Sequence, residues 1–277
     1  MIPFLKMHGL GNDFAVFDAR KQGLALDAAT ARAIADRRRG IGCDQLIVIE
    51  KSGNGATAAM RIINADGGEV ESCGNAARCV ARLLMEELDL PQVRLDTLGG
   101  LLVCSDAGSG LVTVDMGAPT LSWDKVPLAC PADTNRLTLD INGIAHEVSI
   151  VSMGNPHCVL FVDDAESAAV ASLGPCIETH PMFPKRTNVE FVSVRDRAHL
   201  RMRVWERGAG VTQACGSGAC AAAVAAHRRD LADAKVEVEL DGGVLTLELR
   251  EGDGHVLMTG PAALSFKGEI DLAELAS

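Results

Sequence analysis

An internal repeat is the feature that most constrains how this 277-residue chain can fold. The segment "GNDFAVFD" at 11–18 aligns with "GNPHCVLFVDD" at 154–164, and "DQLIVI" at 44–49 can be laid on "TNVEFVSV" at 187–194. A third segment, "RIINADGGEVESCGNAARC" at 61–79, lies on "RVWERGAGVTQACGSGACA" at 203–221. All three pairs keep the same order at a spacing of about 142 or 143 residues. We therefore predict a duplicated module whose halves meet near residues 117–119.

Within each half, strand-like segments alternate with Gly-rich turns, and one prominent helix follows each cysteine motif. The segment "GSGACAAAVAAHRR" is apolar nearly all round until its end, which predicts a helix buried in the middle of its module. A surface helix is expected from Asp27, as N-cap, to the arginines before Gly40. The predicted fold class is α+β, with two pseudo-symmetric modules, each a curved, mostly antiparallel sheet or barrel around a central helix.

Composition narrows the classes of function. The net charge of −11 and the short basic clusters argue against a nucleic-acid partner. No apolar run approaches the ~20 residues of a membrane span, and the N-terminus lacks the pattern of a signal peptide. Nine cysteines without a C-x-x-C pair are typical of reduced thiols. We therefore expect a cytoplasmic protein that binds neither nucleic acid nor membrane.

Cys73 and Cys215 each stand directly before a predicted helix, followed by Gly74-Asn75 and Gly216-Ser217. The first N–H groups of a helix have no intrahelical partner and carry partial positive charge, so such a place binds a carboxylate. The same environment is expected to lower the pKa of the adjacent thiol from ~8.5 toward neutrality. If the modules face each other, two thiols flank one ligand, and their repulsion leaves one of them protonated.

A base and an acid on opposite faces of a carbon that bears a carboxylate can invert a stereocentre, and this is the hypothesis that the twin cysteines favour. The other cysteines are expected to be packing residues. A zinc site from Cys73, Cys79, Cys215 and Cys220 has ligand spacings that are unusual for zinc, so no metal is predicted.

At these residues the sequence resembles the diaminopimelate epimerases over essentially its whole length. The segments that carry the resemblance are "GNDF" (11–14), "DQL" (44–46), "RIINADG" (61–67), "CGNAARC" (73–79), "GNPHCV" (154–159), "TNVEF" (187–191), "RVWERGAGVTQACGSGAC" (203–220) and "TGPA" (259–262). The resemblance implies an epimerase without cofactors that interconverts LL- and meso-2,6-diaminopimelate, on the route to lysine and peptidoglycan. It also implies a homodimer and a C-terminal tail that returns to the first module. The expected modules are 1–117, completed by 263–277, and 118–262, with the active site in the cleft between them.

The resemblance also assigns roles to residues. It places the two catalytic thiols on Cys73 and Cys215, and the groups that tune them on His157 and Glu206. The helix-end carboxylate cradle falls on Gly74, Asn75, Gly216 and Ser217. The remaining substrate contacts fall on Asn12, Gln45, Asn64, Asn155, Asn188, Glu206 and Arg207. Arg207 with Asn64 and Asn188 is expected to hold the distal carboxylate of the substrate, while Glu206, Gln45 and amide oxygens suit its ammonium groups.

Three alternatives stay open from the sequence. A proline- or hydroxyproline-type racemase shares the twin cysteines but needs no arrangement for a distant carboxylate. A phenazine-biosynthesis-type isomerase relies on a carboxylate where Cys73 stands. A non-catalytic amino-acid-binding protein would carry two ordinary, inert thiols.

Overall fold

The computed structural model describes residues 1–71 and 73–275, and the chain forms two compact units. Unit 1 consists of Met1–Val114 together with the chain from Thr259 on, and unit 2 is Asp115–Met258. The boundaries expected from the sequence, at 117/118 and 262/263, lie a few residues from these. Residues 276 and 277 of the expected 263–277 segment are outside the described residues.

Unit 1 contains the strands and helices of the first half of the chain and those at its C-terminal end. Its elements are β1 (Ile2–Gly9), β2 (Asn12–Asp18), α1 (Ala28–Ala35), β3 (Gln45–Glu50), β4 (Ala58–Asn64), β5 (Glu69–Val70), α2 (Gly74–Leu88), β6 (Gln92–Thr97), β7 (Gly100–Gly108) and β8 (Leu111–Asp115), the last of which ends at the boundary.

Unit 2 repeats this order after one additional strand, β9. Its elements are β9 (Leu137–Ile141), β10 (Ile144–Ser152), β11 (Pro156–Phe161), α3 (Val170–Glu178), β12 (Asn188–Asp196), β13 (His199–Glu206), β14 (Gly210–Val211), α4 (Gly216–Arg228), β15 (Lys235–Leu240), β16 (Gly243–Leu249) and β17 (Val256–Pro261), which crosses the boundary after Met258. The last two elements, β18 (Ala263–Ile270) and α5 (Leu272–Leu275), belong to unit 1, where β18 pairs with β1.

The strand pairings confirm the predicted duplication. In unit 1, β2 pairs parallel with β3, β3 antiparallel with β4, β4 parallel with β6, and β6 antiparallel with β7. In unit 2, β11, β12, β13, β15 and β16 repeat these four pairings in the same order and sense. The register repeats as well, because Phe14 lies opposite Gln45 and His157 lies opposite Asn188.

The predicted buried helix is α4, which packs against β10, β11, β12, β13, β15 and β16. From Ala219 to Ala226 it is buried at every position. Alanine has the highest helix propensity and the smallest side chain that a helix accepts readily, so strands can approach this helix from several sides. Arg228 places positive charge at its last turn, where the helix dipole favours it. Helix α2 occupies the corresponding place against β1, β2, β6 and β7.

The surface helix α1 begins as predicted but ends earlier than expected. Asp27 is its N-cap and accepts a hydrogen bond from the Thr30 N–H at 2.8 Å. The helix ends at Ala35, before the arginines at 37–39. The reason is Asp36, whose carboxylate accepts hydrogen bonds from the N–H groups of Arg38 and Arg39 and turns the chain out of the helix.

Candidate active site

One edge of the strands in unit 1 collects three polar side chains. Strands β2 and β3 run parallel and begin with Asn12 and Gln45, and β4 runs antiparallel and ends with Asn64. Gln45 lies directly opposite Asn64, and its Nε2 donates to Asn64 Oδ1 at 2.9 Å. The resemblance implied Asn12, Gln45 and Asn64, which stand in three separate motifs, and the strand directions bring them to one edge.

Helix α2 begins beside this edge. Cys73 is its N-cap, in an extended backbone conformation, and its side chain makes no capping hydrogen bond. The N–H groups of Gly74 and Asn75 therefore belong to the unbonded first turn. Asn75 Nδ2 donates to Asn12 Oδ1 at 3.2 Å, and Cys73 Sγ lies 3.8 Å from the same oxygen. The thiol, the helix end and Asn12 thus form one group.

Two buried acceptors in this group lack a partner. Within the described residues, Gln45 Oε1 and Asn75 Oδ1 are inaccessible to solvent and receive no hydrogen bond. A buried carbonyl oxygen without a donor costs free energy, so such atoms mark a place where a bound ligand can supply the donor. Asp44, which was not predicted as a site residue, accepts a hydrogen bond from Asn12 Nδ2 at 3.0 Å and so fixes the orientation of the Asn12 amide.

Unit 2 builds the same edge with different side chains. Asn155 precedes β11, Asn188 begins β12, and Glu206 ends β13. Asn188 is held by backbone groups: its Nδ2 donates to the Pro156 carbonyl at 3.0 Å, and its Oδ1 accepts from the Arg207 N–H at 2.9 Å. The Arg207 side chain is exposed and donates to the Lys185 carbonyl at 3.1 Å.

Cys215 is the N-cap of α4, again extended and without a side-chain capping bond. Its Sγ lies 3.6 Å from Ser217 Oγ, which accepts from Asn155 Nδ2 at 3.4 Å. The residue is 6% exposed, and Gly216 behind it is buried. The local arrangement therefore matches that of Cys73, with Ser217 in the place of Asn75 and Asn155 in the place of Asn12.

The electrostatics of Cys215 correct the sequence prediction. Burial raises the pKa of the Cys215 thiol well above its ordinary value, and the carboxyl groups of Glu206 and Glu190 raise it further. Hydrogen bonds from Ser217 and the Gly218 N–H oppose this rise without cancelling it. The expectation that the helix start lowers the thiol pKa is therefore wrong for Cys215, because desolvation and two nearby acids outweigh the helix end. This thiol is protonated at neutral pH.

Glu206 lies beside that thiol and accepts a hydrogen bond from it. Burial raises the pKa of the Glu206 carboxyl, while hydrogen bonds with Thr212 and with the Cys215 thiol lower it in part. A carboxyl group whose pKa is shifted toward neutrality can both accept and return a proton. Glu206, which the resemblance assigns to tuning a thiol, is thus a hydrogen-bonding neighbour of Cys215.

His157 is fully buried, and both of its ring nitrogens have partners. Nδ1 lies 2.7 Å from Glu190 Oε1, and Nε2 lies 3.0 Å from Asn155 Oδ1. Glu190 was missed from the sequence. The signal was present, since "NVEFV" at 188–192 puts one acidic residue in a run that is buried at every position.

No three described His, Cys, Asp or Glu side chains are placed so as to hold a metal ion. Across residues 1–71 and 73–275, none of the helices has both the length and the apolar character needed to cross a membrane.

The fold defines a class of two-module α+β proteins, and in this chain a cysteine stands at the start of the central helix of each module. A probable proline racemase from Agrobacterium radiobacter superposes with a TM-score of 0.72 at 16% identity, covering 98% of this chain and 93% of that one. A hydroxyproline epimerase from Agrobacterium vitis gives 0.68 at 17% identity, covering 96% and 91%. A PhzF-family phenazine biosynthesis protein from Bacillus anthracis gives 0.69 at 14%, covering 98% and 99%. At such identities these likenesses establish the fold only.

The sequence comparisons are more specific. The family model described as diaminopimelate epimerase matches residues 4–122 and 149–265. The diaminopimelate epimerase of Acidiphilium cryptum is 54% identical over 274 residues, which cover 99% of this chain and 98% of that protein. That of Rhodospirillum centenum is 53% identical over 268 residues, covering 96% and 91%. The chain belongs to the diaminopimelate epimerase family.

Proposed function

We propose that this protein is an isomerase that interconverts LL- and meso-2,6-diaminopimelate by proton transfer at one α-carbon, without a cofactor. Its biological role would be the supply of meso-diaminopimelate for lysine and for peptidoglycan precursors. Near-complete alignment with epimerases at about half identity supports the substrate. The active site is proposed to lie in the cleft between the two modules.

The observation that carries the mechanism is the pairing of Cys73 and Cys215 as N-caps of equivalent helices, each beside the same edge of equivalent strands. Inversion of a tetrahedral carbon requires a base on one face and an acid on the other. A duplicated module with one thiol in each copy supplies both groups. This is the physical reason for two copies of one local sequence.

The surroundings of Cys215 support a role as the acid, which leaves Cys73 as the base. In the unliganded state Cys215 carries its proton, because burial and neighbouring acids raise its pKa. We propose that the Cys73 thiolate removes the α-proton, so that the Cα–H bond breaks and its electron pair moves toward the substrate carboxylate. The Cys215 S–H bond then gives a proton to the opposite face of the carbon. This turnover leaves Cys73 protonated and Cys215 as the thiolate. That form can catalyse the reverse reaction, and after the product leaves, proton exchange with solvent restores the starting form.

The helix ends are proposed to hold the reacting carboxylate. The first-turn N–H groups of α2, at Gly74 and Asn75, and of α4, at Gly216 and Ser217, supply donors where negative charge grows. Single donors of this kind are worth about 3–4 kcal/mol of transition-state stabilisation in enzymes where they have been removed.

The polar edges are proposed to hold the rest of the substrate. The unpartnered Gln45 Oε1 and the Glu206 carboxyl suit ammonium groups. Arg207, Asn64 and Asn188 are the proposed partners of the distal carboxylate. The exposed Arg207 guanidinium can leave the Lys185 carbonyl for a bidentate contact with a carboxylate, which is the stronger interaction.

We also propose a cytoplasmic homodimer. Leu264 and Phe266 on β18 are 43% and 50% exposed, and a partner that covered them would bury apolar area. Light scattering on purified protein would measure the mass of the particle, and a single-chain mass of 29.1 kDa would contradict the dimer.

The experiment that tests the function is proton NMR in D2O with reduced protein and LL-diaminopimelate. The wild-type protein is expected to remove the α-proton signal and to form the meso isomer. Cys73→Ser and Cys215→Ser are each expected to slow this by at least about 10³-fold, whereas Cys130→Ser, at an exposed position of unit 2, retains full activity. Exchange on proline or hydroxyproline alone would reassign the protein to the ring-substrate racemases. No exchange with any amino acid would mean that the helix ends bind a carboxylate but the protein does not catalyse proton transfer.

A further inference from the structure

The buried partner of His157 has no role in the chemistry described so far. Glu190 lies on β12, is fully buried, and places its Oε1 2.7 Å from His157 Nδ1. Its other oxygen, Oε2, has no hydrogen-bond partner among the described residues. A buried carboxyl group with only one hydrogen-bonded oxygen lowers the stability of the fold, so its presence calls for a structural or a functional explanation.

The fold itself does not require this pair. The repeated register places Phe14 in unit 1 where His157 stands in unit 2, and Ile47 where Glu190 stands. Both unit 1 residues are fully buried apolar side chains. The same core position is therefore filled well by hydrocarbon in one copy of the module, and the polar pair is particular to unit 2.

Helix α4 makes room for the carboxylate with a glycine. A Cβ atom at Gly218 would lie 2.8 Å from Glu190 Oε1 and 3.2 Å from Cys215 Sγ. The corresponding residue of α2 is Ala76, which has that methyl group. The carboxylate of Glu190 and the thiol of Cys215 thus lie on either side of the space that the missing side chain leaves.

Polar contacts run from Glu190 to the thiol. His157 Nε2 lies 3.0 Å from Asn155 Oδ1, Asn155 Nδ2 lies 3.4 Å from Ser217 Oγ, and Ser217 Oγ lies 3.6 Å from Cys215 Sγ. Both nitrogens of His157 therefore face oxygen atoms. Whether the proton between His157 and Glu190 sits on the ring or on the carboxyl group, Nε2 must carry a hydrogen to satisfy Asn155.

We propose that Glu190 is a positioning residue for the epimerisation: it holds His157 in the form with hydrogen on Nε2, and His157 thereby orients the Asn155 amide toward Ser217 and the Cys215 thiol. This inference rests on the proposed function. An isolated neutral imidazole can place its hydrogen on either nitrogen, and with Nε2 bare it would repel Asn155 Oδ1. The Asn155 amide would then rotate and present Oδ1 to Ser217. The Ser217 hydroxyl would donate to that oxygen, and it could no longer donate to the Cys215 sulfur.

Other ionisable groups near the pair are Glu206, whose charge interacts with both members, and the thiols of Cys158 and Cys215, which interact with Glu190. Burial raises the pKa of the Glu190 carboxyl, and the charge and hydrogen bond of His157 lower it in part. Both carboxyl groups also raise the pKa of Cys215. Removing the acid from Glu190 should therefore move the pH profile as well as the rate.

The test is Glu190→Leu, which fills the space with hydrocarbon, as Ile47 does in unit 1, and leaves His157 Nδ1 without a partner. The control is Glu237→Leu, at an exposed position of the same unit. We expect Glu190→Leu to lower kcat by about 10-fold or more, as loss of a buried partner that orients a histidine does elsewhere. KM should change less than kcat, because Asn155 is the one expected substrate contact that is affected. The pH profile of kcat should move to lower pH, since the Glu190 carboxyl raises the pKa of Cys215, and Glu237→Leu should match the wild-type protein in all three quantities.

Nitrogen-15 NMR of histidine-labelled protein gives a readout that needs no substrate. In the wild-type protein, His157 is expected to carry hydrogen on Nε2, and in Glu190→Leu it should show a mixture of tautomers. If Glu190→Leu does not fold, Glu190→Asp, which restores a shorter carboxylate, should give a smaller change in the same direction. An unchanged tautomer or an unchanged pH profile in a folded variant would overturn the proposal. If the wild-type protein failed to turn over diaminopimelate, the proposed function would fall, while the NMR measurement would still decide whether Glu190 controls His157.

Discussion

The Glu206 carboxyl at the end of β13 and the Cys215 thiol at the start of α4 are held within hydrogen-bonding reach of one another in unit 2, and burial raises the pKa of both groups. The charge of Glu206 disfavours the Cys215 thiolate, while the hydrogen bond from the thiol favours the Glu206 carboxylate. Burial together with this contact keeps the proton on the Cys215 sulfur at neutral pH.

Glu206→Gln should make the Cys215 thiol more acidic, because it removes a negative charge that disfavours the thiolate. Alkylation of Cys215 by iodoacetamide at a given pH below its pKa should therefore be faster in the variant, and its rate profile should move to lower pH. Mass spectrometry of the peptide that contains Cys215 measures this. Slower or unchanged alkylation at every pH would mean that Glu206 does not act on the thiol.

Gly218→Ala should reduce both stability and activity, although Ala is the better helix former by about 1 kcal/mol. The added Cβ would lie 2.8 Å from Glu190 Oε1 and 3.2 Å from Cys215 Sγ, so the carboxylate or the thiol must move. The matched change is Ala76→Gly at the equivalent position of α2, which should cost about 1 kcal/mol from propensity and lost burial without displacing either group. Urea unfolding and kcat measure the two effects. A stabilised Gly218→Ala with full activity would show that the space beside Cys215 is not needed.

Asp13→Asn should lower the free energy of unfolding at pH 7 by about 2 kcal/mol. Burial alone would raise the pKa of Asp13, but hydrogen bonds and charges from Arg37 and Lys6 outweigh it and hold that pKa at about 2, against 3.8 unperturbed. Because the folded pKa is depressed, this stabilisation is present above pH 3.8 and is lost as pH falls toward 2. Urea unfolding should therefore show the difference between wild type and variant shrinking by about half at pH 3.

The exposed substitution Glu237→Gln is the control for these measurements. Its difference from wild type in the free energy of unfolding should not shrink between pH 7 and pH 3. A difference for Asp13→Asn that is equal at pH 7 and pH 3 would mean that the ionised carboxylate is not what stabilises this part of unit 1.

Glu178→Gln should loosen the turn that carries Glu206 and Arg207. The buried Glu178 carboxylate accepts from Trp205 Nε1 at 2.7 Å and from the Gly208 N–H at 3.1 Å, so it holds the turn from both ends. Hydrogen bonds to a charged acceptor are worth about 1.5–3 kcal/mol each, and an amide replaces them only in part. We expect a red-shifted Trp emission and a KM for diaminopimelate raised by about 5-fold or more. Unchanged fluorescence and KM would show that the turn holds its place without this carboxylate.

Much of this architecture follows from local sequence signals. The N-cap of α1 at Asp27, the buried alanine helix α4 and the cysteines at two helix starts each depend on residues that are near one another in the chain. The duplication is visible because it repeats such local patterns about 142 residues later. Hydrophobic period, capping chemistry and small-residue content act over a few residues, which is why they can be recognised without coordinates. The end of α1 was misjudged because a single side chain, Asp36, competes with the helix for backbone N–H groups.

The charge states around the cysteines depend on residues that are distant in the chain. From the sequence alone, a helix start predicts an acidic thiol. In the folded chain, β12 and β13 bring Glu190 and Glu206 beside Cys215 and bury it, so its pKa rises instead. The partner of His157 depends on the register of β11 against β12, which joins residues 33 positions apart. Amino-acid order determined which groups the protein has and which helices present them, but only tertiary packing set their charge states, because desolvation and Coulomb energies depend on distances in space.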